Sequence, residues 1–310
     1  KKAITKILKE ISIWLANKLP VDFVDLIPVD FQQLSTNDFI FSQFYYESSR
    51  SYVILYDSIN VREKLPEVKF SDLKVSEFKI LLFNRLICLL EAKFGRPSKL
   101  SPQKLENDFL ILQTSKSIIA CADVLLYCYG KFSHLYKEKN KNFQNLTTIS
   151  DNFKQLMETA TKIRIDPISI NKIGNADLFW KNAIKMYSFV SRRFFSDYLN
   201  IGFDYNFKQF YKIYVKKHYS LIFLTIKTFF EKMLIFKNSF FILRYLFFER
   251  NRFDDISIAQ LFIVHILDER RIDIEFYNWM LTVFPIVSNS DFKDKIRHLI
   301  NLWYDRSEEH

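Results

Sequence analysis

The spacing of apolar side chains predicts helices along most of the chain. Residues 2–18 carry apolar residues three and four positions apart, as a helix with one buried face does. The same spacing predicts further helices near residues 76–94, 101–129, 151–163, 176–199, 206–235, 239–250, 256–268, 273–284 and 291–304. The predicted helix at residues 101–129 has a candidate break near residues 114–117. We therefore expect a mainly α protein.

Capping residues mark several helix ends. Ser76 caps the start of the predicted helix that runs to Phe94, and Gly95 follows that helix in the position of a left-handed cap. Ser101 stands before a proline and so matches a helix start, and Gly130 ends that second helix. Short joints between such helices indicate antiparallel neighbours in a bundle.

Two short segments have a different pattern. Residues 21–29, VDFVDLIPV, and residues 51–56, SYVILY, are rich in β-branched and aromatic side chains, which is typical of strands. Two strands do not form an independently stable sheet. The segments therefore indicate a remnant of a small α/β fold, and we expect the rest of its sheet to precede Lys1.

Changes of pattern also predict the domain organisation. We expect a partial α/β domain at residues 1–74, a helical bundle at residues 75–164 and a C-terminal helical domain at residues 165–310. Turn-forming residues at 165–167 and 174–175 interrupt the helical pattern at the second boundary.

Composition narrows the classes of protein. The chain has 310 residues but only 4 glycines, which argues against glycine-rich phosphate loops and all-β sandwiches. The 3 cysteines lie in apolar stretches without metal-ligand spacing, so we expect reduced thiols in a cytoplasmic protein. Charged residues divide the most apolar region, 219–248, into runs shorter than the ~20 residues of a spanning helix. We therefore predict no membrane partner.

The net charge of +10 allows a phosphate-rich partner such as nucleic acid, although an AT-biased genome gives a similar composition. One lysine-rich segment, FKQFYKIYVKKHY, begins at Phe207. A nucleic-acid surface would place its lysines beside aromatic rings, and the alternative is a helix with one solvated side. The lysines are Lys208, Lys212, Lys216 and Lys217, and the ring beside them would be Phe207, Tyr211 or Tyr214.

Two isolated charges lie in apolar segments. Asp25 stands in the first predicted strand, where it either faces water at a sheet edge or meets a metal ion. Arg85 interrupts an apolar helix and needs a partner, because an unpaired buried guanidinium is costly. We predict a pair between Arg85 and Asp123 of the next helix. The alternative is that Arg85 faces a phosphate pocket and Asp123 orients it.

A basic cluster follows the helix that ends at Gly130. It contains Lys131, His134, Tyr136 and Lys137. Lysines at this position complement the helix dipole, and together these residues could also hold an acidic group.

The order of these pieces resembles nucleotidyltransferase-domain proteins of the DNA polymerase β-like superfamily. The resemblance covers residues 1–145 and rests on an amphipathic helix, PVDFVDLIPVDFQQLSTNDFIFSQFYYESSRSYVILYDSINVREKLPEV, FNRLICLLE and DVLLYCYGKFSHLYKEK. It implies that the α/β segment is a remnant of a nucleotidyltransferase palm, followed by helical bundles.

The resemblance also implies a function. Asp25, or Asp22 as the fallback, would be a catalytic, metal-binding carboxylate. A nucleotide or an acceptor would be bound by Arg85, Lys131, Tyr136 and Lys137. The reaction would transfer a nucleoside monophosphate from an NTP to an unknown acceptor with Mg²⁺.

One departure from the family leaves the activity open. The Gly-Ser turn and Asp-x-Asp strand of the family do not occur in this sequence. Either they lie upstream of Lys1 or this member is inactive, and we expect no metal bound to this chain. The alternative function is a non-catalytic basic helical module that binds nucleic acid or a protein partner. The sequence does not predict the oligomeric state.

Overall fold

The computed structural model describes residues 7, 10–14, 42–50, 66–95, 103–218, 252–269 and 291–307. The chain divides into two compact units, Lys1–Lys74 and Val75–His310. Most of the described residues are helical and none of them lies in a strand. The mainly α prediction is confirmed. Both predicted strands lie outside the described residues, so the palm remnant stays a prediction.

The first unit contains helix α1, Gln43–Ser48, and a short 3₁₀ helix, Phe70–Asp72. The Tyr45 hydroxyl donates to the carbonyl oxygen of Pro66 at 2.6 Å. Arg50 lies over the ring of Tyr46 at 4.0 Å and donates to the carbonyl oxygen of Val68. These contacts join α1 to the segment at residues 66–68.

The second unit is a bundle of helices. Those that the structure describes are α2 (Val75–Phe94), α3 (Gln103–Cys128), α4 (Tyr136–Gln144), α5 (Asp151–Ile165), α6 (Ala176–Leu199), α7 (Phe207–His218), α8 (Arg252–Glu269) and α9 (Phe292–Ser307). A 3₁₀ helix, Pro167–Lys172, joins α5 to α6. Of these, α4 was not predicted as a helix.

Helix α3 is the centre of the bundle and packs against α2, α4, α5 and α6. Its segment Glu106–Cys128 is long and apolar enough to cross a membrane, but 78% of its 18-residue apolar stretch is buried inside the protein. The candidate break at residues 114–117 is absent from this helix. Ser115 and Ser117 donate to carbonyl oxygens one turn earlier, at 2.8 and 3.0 Å, which satisfies both hydroxyls within a continuous helix.

Helix α6 connects the two sides of the predicted boundary at residue 165. The Trp180 indole donates to the carbonyl oxygen of Leu89 at 2.8 Å, and the Tyr187 hydroxyl donates to that of Leu82 at 2.6 Å. Helices from both sides of residue 165 therefore pack together within the unit Val75–His310.

Candidate functional site

The turn after α3 has a fixed geometry. Gly130 has a φ of 66°. Its N–H donates to the carbonyl oxygen of Tyr127 at 3.0 Å, and the N–H of Lys131 donates to that of Leu126 at 2.7 Å. This pair of bonds forms a Schellman helix end, which requires a left-handed residue such as glycine. The predicted helix end at Gly130 is confirmed, and Lys131 leaves the helix in a defined direction.

A buried ion pair joins α3 to α4. The ammonium of Lys139 lies 2.9 Å from Oδ2 of Asp123, and the two side chains are only 3% and 5% exposed. A charge buried this deeply is tolerated because its partner compensates it, and removing one partner leaves an uncompensated charge. The pair therefore fixes the position of α4 on α3.

The predicted pair between Arg85 and Asp123 is wrong. The hydroxyl of Ser117 on α3 lies 2.9 Å from the carbonyl oxygen of Arg85, so its one proton is shared between this carbonyl and that of Gln113. The backbone of Arg85 therefore lies level with Ser117, whereas Asp123 lies six residues farther along α3, a rise of about 9 Å. Asp123 contacts Lys139 instead, so the alternative role of Asp123 in orienting Arg85 also fails.

Aromatic rings surround the buried ammonium. The Nζ of Lys139 lies 4.8 Å from the ring centroid of Phe132 and 5.6 Å from that of Tyr136. Both distances are within the range of cation–π attraction. The ring of Phe132 in turn meets Phe78 of α2 edge-on, at 5.5 Å between centroids. The turn is therefore anchored to α2, α3 and α4.

The outer side of this turn is basic. We call residues 131–137 the basic turn. Lys131 and Lys137 are exposed, and Tyr136 is 39% exposed. The side chain of Asn142 donates to the carbonyl oxygen of Lys131 at 2.9 Å, which fixes the start of the turn. The structure therefore brings three of the predicted site residues, Lys131, Tyr136 and Lys137, onto one anchored turn.

Comparison with protein-family models, curated proteins and solved structures finds no match to this chain.

The other predicted site residues lie elsewhere. Arg85 is half-buried on α2. The backbone of Arg85 lies beside Ser117, which is eleven residues before the end of α3. Arg85 is therefore about 16 Å along the helix axis from the end of α3 that precedes the basic turn. Asp25 lies outside the described residues. Within the described part of the chain, no group of His, Cys, Asp or Glu side chains could hold a metal ion.

The lysines of α7 do not share a face with two of the predicted rings. Phe207 and Tyr214 are buried, whereas all four lysines are exposed. The rings pack inward because they complete an aromatic core with Phe210 and Phe195. Of the three rings, Tyr211 is half-buried. Phe207 and Tyr214 therefore do not lie beside the lysines, and the predicted nucleic-acid surface on α7 depends on Tyr211.

A second buried polar cluster joins α6 to α8. The imidazole of His265 has Ser188 Oγ at 2.8 Å from Nδ1 and Ser191 Oγ at 3.4 Å from Nε2. Burial, and secondarily the charge of Arg192, lowers the pKa of His265 well below its usual 6.5. His265 is therefore neutral at pH 7, and it serves as a core residue held by hydrogen bonds.

Neither the role of Lys139 nor this histidine cluster was predicted from the sequence. Lys139 had a usable signal, because it lies four residues before Phe143 and so shares its helix face, which is buried. His265 lies in the apolar run AQLFIVHIL, which indicates burial. Its serine partners lie 74 and 77 residues away in sequence, so no local pattern identifies them.

Proposed function

We propose that this protein is nucleotidyltransferase-like and that it transfers a nucleoside monophosphate from an NTP to an acceptor with Mg²⁺, provided that the family's Asp-x-Asp carboxylates exist in the natural protein. The observation that carries the proposal is the basic turn, where Lys131 and Lys137 are exposed on a backbone anchored to three helices. The resemblance of residues 1–145 to a nucleotidyltransferase palm and bundle supports it. In this proposal residues 1–74 contain the palm remnant.

The basic turn would bind phosphate groups. Lys131 and Lys137 supply positive point charges, and Tyr136 supplies a hydroxyl that can donate a hydrogen bond. The backbone of the turn is already fixed by Gly130 and by the Asp123–Lys139 pair. Binding would therefore cost less ordering entropy than binding to a loose loop.

The metal would be held outside the described residues. In this proposal Asp25 is the metal ligand, with Asp22 as the fallback. When bound, Mg²⁺ would stabilise negative charge on the triphosphate. The described helices contribute the basic turn, which orients phosphate and neutralises part of its charge.

Transfer activity tests the proposal. The complete natural protein is incubated with Mg²⁺ and an NTP labelled at its α-phosphate, and the label on acceptor RNA, DNA or protein is counted. Asp25→Asn should lower the rate about 100-fold or more, because a metal ligand contributes several kcal/mol to the transition state. Lys131→Gln with Lys137→Gln should raise the KM for NTP, and Lys293→Gln, an exposed lysine of α9, should leave it unchanged.

Two results would count against this assignment. Undiminished transfer by Asp25→Asn would exclude Asp25 as a metal ligand, and Asp22→Asn would then be tested. Absence of transfer from the unmodified natural protein would exclude the enzyme proposal.

The second candidate is a non-catalytic basic module that binds nucleic acid or protein. It is favoured by the exposed lysines of the described helices. Oligonucleotide binding without transfer of label would distinguish it from the transferase.

A further inference from the structure

Three phenylalanines form a row on the surface of the bundle. The ring of Phe189 on α6 lies 5.8 Å from that of Phe153 on α5 and 5.9 Å from that of Phe203 in the loop after α6, centroid to centroid. Phe203 is 38% exposed, and the other two are half-buried. We call these residues the phenylalanine row. It leaves aromatic surface in contact with water.

Cations flank this row along α6. Lys181, Lys185, Phe189 and Arg193 follow each other at intervals of four residues, so they lie along one side of the helix over about 18 Å. Both lysines and Arg193 are exposed. We call these four residues the basic stripe.

The acidic residues that continue this spacing are already bound. Asp177, four residues before Lys181, pairs with Lys93 of α2. Asp197, four residues after Arg193, lies 3.1 Å from that guanidinium. Neither carboxylate reduces the positive charge of the two lysines by pairing with them.

We propose that the basic stripe and the phenylalanine row together bind single-stranded nucleic acid. Lys181 and Lys185 contact the phosphates, and exposed rings stack on the bases. A single strand fits better than a duplex, because duplex bases are covered by their own stacking and pairing. A protein partner fits less well, since charged residues are depleted at the centres of protein interfaces. The net charge of +10 has the sign that a polyanion requires.

This inference does not rest on the transferase proposal. Binding is measured by fluorescence anisotropy with a labelled uridine oligonucleotide of about twelve residues, within the usual range of single-strand site sizes. The buffer contains EDTA and no NTP, so transfer activity cannot affect the result.

The aromatic part is tested with leucine substitutions. Phe189→Leu and Phe203→Leu should each weaken binding about fivefold or more, because stacking on one ring contributes ~1 kcal/mol or more. The matched control is Phe109→Leu on α3, where the ring is 43% exposed but lies outside the stripe. Phe203 is in a loop, so its variant should fold even if Phe189→Leu does not. Circular dichroism melting checks both.

The charged part is tested with Lys185→Gln. It should weaken binding and reduce the slope of log affinity against log salt by about 0.7, the value for one phosphate contact on a single strand. Lys293→Gln on α9 is the control and should leave the slope unchanged.

Three outcomes would overturn the proposal. They are the absence of oligonucleotide binding, equal affinity of the wild-type and both phenylalanine variants, and competition by inorganic polyphosphate that equals competition by unlabelled oligonucleotide at the same phosphate concentration. The last would mean that the bases contribute nothing.

Discussion

The bundle buries polar groups in two different ways. Between α3 and α4 it buries full charges, with the Lys139 ammonium 2.9 Å from Asp123. Between α6 and α8 it buries a neutral group, with His265 between the hydroxyls of Ser188 and Ser191. Both clusters are nearly inaccessible to water.

The difference lies in what each cluster loses when it is altered. An ion pair exchanges two hydration shells for one mutual attraction, so loss of either partner leaves a charge in an apolar interior. The imidazole avoids that cost by remaining uncharged, and only a proton can create a buried charge there. The first cluster should therefore be sensitive to substitution and the second to pH.

The largest expected effect comes from breaking the ion pair. Asp123→Ala should lower the free energy of unfolding by about 3–5 kcal/mol, because the Lys139 ammonium is left buried without its carboxylate. Urea unfolding followed by circular dichroism measures the change. The double variant Asp123→Leu with Lys139→Met should recover most of this loss. Equal instability of the single and double variants would show that packing, not charge, determines the cost.

Serine substitutions should have the next largest effect. Ser188→Ala removes the 2.8 Å hydrogen bond to His265 and should cost about 1–3 kcal/mol, because a buried ring nitrogen loses its partner. Ser191→Ala should cost less, since its contact with the imidazole is 3.4 Å long and its hydroxyl also donates to the carbonyl oxygen of Ser188. Thermal melting of both variants measures the order, and the reverse order would contradict the hydrogen-bond assignment.

Acidification should destabilise the neutral cluster. The pKa of His265 is lowered in the folded state, so the unfolded chain binds its proton near pH 6.5 and the folded chain does not. The contribution of the neutral imidazole to the free energy of unfolding is therefore fully present above pH 6.5. It decreases as the pH falls below 6.5, until the pH reaches the lowered pKa of the folded state. Between pH 7 and 5.5 the free energy of unfolding should fall by about 1 kcal/mol from this histidine.

The control for the pH effect is His265→Gln. It should remove that part of the pH dependence while leaving the contributions of the other histidines. Urea unfolding of both proteins at pH 7 and 5.5 measures the difference. An unchanged pH dependence in His265→Gln would exclude His265 as its source.

The smallest effect is expected at an exposed ion pair. Lys162 lies 2.6 Å from Glu158 one turn earlier on α5, and both side chains are about half exposed or more. Lys162→Gln should change the free energy of unfolding by about 0.5 kcal/mol or less, because water and salt screen exposed charges. A loss comparable with that of Asp123→Ala would show that burial is not the cause of the larger effect.

The sequence predicted helices where the apolar periodicity was strong. The prediction for residues 176–199 agrees with α6, because Asn175 caps its start and Asn200, with a φ of 55°, ends it. The 15-residue helix α5 begins at Asp151 as predicted, where the Ser150 side chain accepts from the N–H of Phe153.

Helix α4 shows why local patterns failed. Its sequence, YKEKNKNFQ, is polar almost throughout, so periodicity predicts no helix. The helix is stabilised by contacts with distant residues, namely Asp123 with Lys139 and the burial of Phe143. The basic turn was predictable as a group because its residues are close in sequence. The Arg85–Asp123 prediction failed because it depended on how far α2 is shifted along its axis relative to α3, which sequence spacing does not give.

Nucleotide binding by the basic turn is the most direct test of the central claim. Isothermal titration of the chain with ATP and Mg²⁺ compares wild type, Lys131→Gln with Lys137→Gln, and the control Lys293→Gln. The account predicts that the double variant binds about tenfold or more weakly, since a hydrogen bond to a charged group contributes ~1.5–3 kcal/mol, and that the control binds as wild type does. Equal ATP affinity in all three proteins would contradict a phosphate-binding role for the basic turn.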